Sequence, residues 1–91
     1  MKELETQFVG KGEVRGFTFT QVKRSNLGYI YRVSDTFGQS WYEVFRRKEN
    51  VPFNVISYPR CQSYGKWAWT CLTLEKAERK LKWINTTLID T

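Results

Sequence analysis

Histidine is absent from the chain, and the only cysteines are Cys61 and Cys71, with nine residues between them. Without imidazole, and with two thiols this far apart, neither a zinc site nor a redox CxxC pair can be assembled, so no metal and no cofactor is expected. General acid–base chemistry near neutral pH would fall to a shifted Glu, Asp, Lys or Cys, and the expectation is that the protein is not an enzyme. Both cysteines are read as reduced thiols: Cys71 lies in an apolar run where a thiol behaves as a small hydrophobe, and Cys61 in a loop-like stretch. No apolar run approaches the roughly 18 to 20 residues of a membrane span, and Met1-Lys2-Glu3-Leu4-Glu5 lacks the apolar core of a signal peptide. No membrane partner is expected, and a cytoplasmic location is.

Bulky rings and positive charge are plentiful. Four Trp, five Tyr and six Phe occur in 91 residues, and each buries on the order of 150 to 250 Å², enough for one real core in a chain too short for two. The net charge is +6, and residues 14–72 carry nine basic side chains against Asp35, Glu43 and Glu49. Such an excess favours acidic partners such as nucleic acid, and it also serves solubility.

Period-2 alternation marks strands over residues 17–22, 29–33 and 41–46, with turn residues Asn26-Leu27-Gly28 and Asp35-Thr36-Phe37-Gly38 between them. These three form a meander. Residues 53–58, bracketed by Pro52 and Pro59, read as a fourth strand. Residues 67–72 read as a fifth, with Trp67 and Trp69 on one face. From Thr73 the period becomes 3.6: Leu74, Ala77, Leu81, Ile84 and Leu88 form a stripe, with Lys76, Arg79, Lys80 and Lys82 away from it. Thr73 suits an N-cap, Glu75 the positive helix end and the later cations the negative end, and the helix is expected to stop near Asn85. The fold class is therefore α+β, an antiparallel sheet of four to five strands with one C-terminal helix on one face. It is a single domain, with residues 1–10 expected to fray.

Five strands about 4.8 Å apart make a sheet roughly 24 Å wide, whereas a helix is only about 10 to 12 Å across. Both parities of the third and fourth strands are apolar, so the second face needs a cover. Closure into a barrel, pairing of two chains or a bound ligand would each provide one. The leading expectation is a non-catalytic binding module for single-stranded nucleic acid, in which rings stack on bases and cations meet phosphates. Tyr31, Arg32, Tyr42, Arg46, Arg47 and Lys48 are its candidates, with Arg60 and Lys66 as outlying phosphate contacts. The alternative is a homodimer or a protein-interaction module that buries the same rings. A small-ligand carrier is a third class, and it requires a cavity. Glu43, in mid-strand, is expected to pair with an arginine across the sheet. Gly10-Lys11-Gly12 lacks phosphate-loop spacing and reads as a turn.

The run Tyr42-Glu43-Val44-Phe45-Arg46-Arg47-Lys48-Glu49-Asn50, with Ser57-Tyr58-Pro59 and Gly65-Lys66-Trp67-Ala68-Trp69-Thr70, resembles small uncharacterised proteins of gut-bacterial genomes and mobile elements over residues 10–84. That resemblance implies no activity and no site residue. More remotely, strands followed by a helix look like the DNA-binding arm of tyrosine integrases, an architectural analogy alone.

Overall fold

The computed structural model describes residues 1–86, so Leu88 of the expected helix stripe lies outside the described residues. In chain order the elements are β1 (Gln7–Val9), β2 (Thr18–Arg24), β3 (Gly28–Ser34), β4 (Ser40–Arg46), β5 (Glu49–Asn50), β6 (Val55–Ile56), β7 (Ala68–Cys71) and α1 (Leu74–Thr86). Five strands form one antiparallel sheet in the order β1-β2-β3-β4-β7. The α+β class and the single C-terminal helix are as the sequence predicts.

Local chemistry sets the meander. Ser25 Oγ accepts the backbone N–H groups of Leu27 and Gly28, each at 3.2 Å, which closes the β2–β3 turn. Asp35 Oδ1 accepts those of Phe37 at 2.8 Å and Gln39 at 2.9 Å, while Gly38 supplies the φ of +87° that closes the β3–β4 turn. Thr73 caps the helix by accepting the Lys76 N–H at 3.2 Å. The helix runs to Thr86, and its last turn carries no basic residue: the expected complement to the negative end sits further back along the helix.

Ala77, Leu81 and Ile84 pack on Ile30 and Val44, with Tyr42, Trp69 and Cys71 at the margin of this core. Close approach of helix and sheet depends on Gly28, where an added Cβ would lie 2.8 Å from the Phe45 carbonyl oxygen and 3.0 Å from Leu81 Cδ1. Gly28→Ala is expected to lower stability by about 1 to 3 kcal/mol, measured by denaturant melts, because the obstructing atoms include backbone.

The second sheet face is covered, but by none of the three means considered above. Residues 47–67 leave the sheet after β4, cross this face and return as β7, and the N-terminal segment lies beside them. Ile56 joins Phe19, Tyr29, Tyr31, Val33, Phe45 and Ala68 in a second core, with Leu4, Phe8, Tyr58 and Tyr64 packed against it. Tyr58 is the hub: its ring meets those of Phe8, Phe19, Tyr31 and Phe45 at 5.7, 5.4, 5.2 and 4.8 Å, in edge-on geometry that suits aromatic quadrupoles.

Three further expectations are corrected. The fourth strand does not enter the sheet; only Val55–Ile56 is extended, and it pairs with Glu49–Asn50 across a 3-10 turn containing Pro52 and a left-handed Asn54. Residues 1–10 are anchored, because β1 pairs with β2, Lys2 bonds Asn54 and Ile56, and Glu3 pairs with Arg24 and Arg47. Trp67 and Trp69 occupy opposite sides. Trp67 precedes β7, follows a turn with Gly65 at φ +88°, and packs on the Phe45 core, whereas Trp69 joins the helix side.

Candidate functional site

Strand parity divides the candidate residues. Side chains adjacent along a strand point to opposite faces, so Tyr31 and Arg32 cannot share a surface, and neither can Arg46 and Arg47. Tyr31 is fully buried. Its hydroxyl donates to the Glu5 carbonyl oxygen and accepts from Gln21 Nε2 at 2.9 Å, and burial pushes its pKa up. Arg47 lies on the same side in a structural cluster. It pairs with Glu3 and Glu49 and donates to the Tyr29 hydroxyl at 2.8 Å, which in turn donates to Glu3 Oε1 at 2.8 Å. Burial, reinforced by the Glu3 bond, pushes the Tyr29 hydroxyl up to about 12, while the Arg47 hydrogen bond holds Glu3 below the ordinary carboxylate range.

Arg32, Tyr42 and Arg46 share the helix side of the sheet. Arg32 is exposed and opposes half-buried Tyr42, which opposes Cys71 on β7. Arg46, four residues along β4 from Tyr42 and so about 13 Å away, turns its guanidinium toward Trp69 and Trp83, at 6.0 and 5.1 Å from the ring centroids. Lys80 of α1 approaches the same two rings at 4.8 and 4.6 Å, and the indoles meet edge to face at 5.4 Å. Such contacts stabilise by about 0.5 to 2 kcal/mol each. Lys76 and Lys80 both flank Cys71, although burial outweighs them and pushes its thiol up. The result is a cationic, aromatic strip along β3, β4, β7 and α1.

Trp69, Lys80 and Trp83 were missed at sequence level. The signal was present in the Lys80/Trp83 spacing of three, which places both on one helix flank.

Lys48, Arg60 and Lys66 belong to the excursion over the opposite side. Lys48 Nζ sits 5.1 Å from the Trp67 ring, Arg60 is at the rim of a pocket described next, and Lys66 is exposed in the turn before Trp67. They do not join the strip.

The pocket, of about 670 Å³, is walled by Phe8, Phe17, Phe19, Trp41, Tyr58 and Tyr64, with Glu43 among them. The arginine expected beside Glu43 is not there. Glu43 Oε1 accepts from the Tyr58 hydroxyl at 2.5 Å and its Oε2 from Trp41 Nε1 at 3.1 Å, and Tyr64 lines the same pocket. Burial, then the Glu43 charge, drives both tyrosine hydroxyls far above their usual range, so both remain donors throughout the physiological range. Among the described residues there is no cluster of three or more His, Cys, Asp or Glu side chains able to hold a metal ion. No family model, curated protein or solved structure matches this chain.

Proposed function

We propose that the domain is a non-catalytic binding module that holds single-stranded nucleic acid along the strip of Arg32, Tyr42, Arg46, Trp69, Lys80 and Trp83. The observation that carries this reading is the convergence of Arg46 and Lys80, from two different elements, on one pair of indoles. Cations poised on rings offer a strand both of the things it needs, phosphate contacts and apolar faces for bases. Trp83 keeps 43% of its surface exposed, so part of the platform is open to a partner.

A homodimer has less to support it. The chain itself covers the sheet face that motivated the idea, and the sheet edges are short: β1 has three residues, and in four-residue β7 the Ala68 carbonyl is already bonded by Gly65 N–H.

Titration of a labelled single-stranded oligonucleotide tests the reading. Three phosphate contacts, by Arg32, Arg46 and Lys80, give a salt exponent of about −2, so affinity is expected to fall about twentyfold between 50 and 200 mM salt. Absence of binding at 50 mM salt would overturn the assignment.

A further inference from the structure

The pocket around Glu43 lies on the other side of the sheet from the proposed nucleic-acid strip and has a different chemistry. Its walls come from β1, the turn at Gly12–Val14, β2, β4 and residues 58–64, and its volume of about 670 Å³ falls within the range of small-molecule sites. The lining is dominated by rings, with Phe8 stacked on Phe19 at 4.7 Å and Phe17 edge-on to Trp41 at 5.9 Å.

Glu43 is the half-buried carboxylate of the lining and is held by uncharged donors alone, while the exposed Glu5 and Glu13 balance the exposed Lys11 and Arg60. The chain has fifteen lysines and arginines, yet no ion pair among the described residues includes Glu43. Its negative charge is thus oriented but not neutralised, and the complement is a cation supplied from outside.

The hydrogen-bonding capacity selects the kind of cation. An ionised carboxylate offers about four acceptor sites, and Tyr58 and Trp41 take two. A primary ammonium would bring three N–H groups and find two acceptor sites left on Glu43, leaving one donor unsatisfied among rings. A quaternary ammonium brings none, and it gains from ring faces and from the carboxylate at once. We infer that this pocket binds a small quaternary ammonium compound, with Glu43 as counter-charge and Trp41, Tyr58 and the neighbouring phenylalanines as its aromatic cage.

The test compares three probes on the intact chain by calorimetry: choline, its uncharged counterpart of the same shape 3,3-dimethylbutan-1-ol, and ethanolamine, the primary ammonium that lacks the three methyl groups. Choline is expected to bind saturably, with ethanolamine and the alcohol each at least about tenfold weaker. Glu43→Gln, which keeps the shape of the side chain, is expected to weaken choline by at least about tenfold and leave the alcohol unchanged. Equal binding of choline and the alcohol, tighter binding of ethanolamine, or no saturable binding of choline would each overturn the inference. Should Glu43→Gln fail to fold, the three probes on the unaltered protein still decide it.

Discussion

Replacing Tyr58 by Ala is expected to cost about 3 to 5 kcal/mol of stability, the largest effect of any single substitution proposed for this chain. The ring sits between four others, contributed by β1, β2, β3 and β4, and it fixes residues 47–67 over the second sheet face. Its removal opens a cavity at the centre of the Phe45 core and frees the cover that keeps that core dry. Domains of this size are stable by about 5 to 15 kcal/mol in total, so the variant should melt at least about 12 °C lower. Tyr58→Phe separates the two roles of the side chain. It keeps the ring and deletes only the bond to Glu43, which retains Trp41 as a donor, so a loss of about 1 kcal/mol is expected. Similar losses for the two variants would show that the hydroxyl, not the packing, dominates.

The double substitution of Arg46 and Lys80 by Ala is expected to weaken oligonucleotide binding about sixtyfold at 50 mM salt. Each phosphate contact on a single strand contributes a salt exponent of about 0.7, or roughly eightfold between 1 M and 50 mM salt, and two contacts multiply. The exponent itself should fall from about −2 to about −0.7. A matched double variant, Arg60→Ala with Lys66→Ala, removes the same charge from the opposite side and is expected to change affinity far less. If the two double variants weaken binding equally, net charge rather than the strip is responsible.

The helix and strands β2, β3 and β4 were legible because their signals are local. A period of 3.6 with a Thr cap, and alternation bounded by Asn-Leu-Gly and Asp-Thr-Phe-Gly turns, specify an element without reference to anything distant. Residues 53–58 misled because strand-like composition reports burial as much as pairing. Ile56 and Tyr58 are apolar since they cover the Phe45 core, not since they extend the sheet. The same limit hid Glu43. Its partner Tyr58 arrives on an irregular excursion whose path no periodicity encodes, whereas cross-strand reasoning looks only to the neighbouring strands. The candidate set itself mixed parities: choosing Arg46 with Arg47 and Tyr31 with Arg32 combined the two faces, and burial then separated them.

The four tryptophans report on the two sides of the sheet independently, Trp69 and Trp83 on the strip and Trp41 and Trp67 on the other. Indole N–H resonances in ¹H–¹⁵N spectra, followed while single-stranded oligonucleotide is added at 50 mM salt, therefore test the central claim most directly. The expected result is that the Trp69 and Trp83 signals move with increasing oligonucleotide while those of Trp41 and Trp67 stay in place. Movement confined to Trp41 and Trp67, or no movement of any of the four, would contradict it.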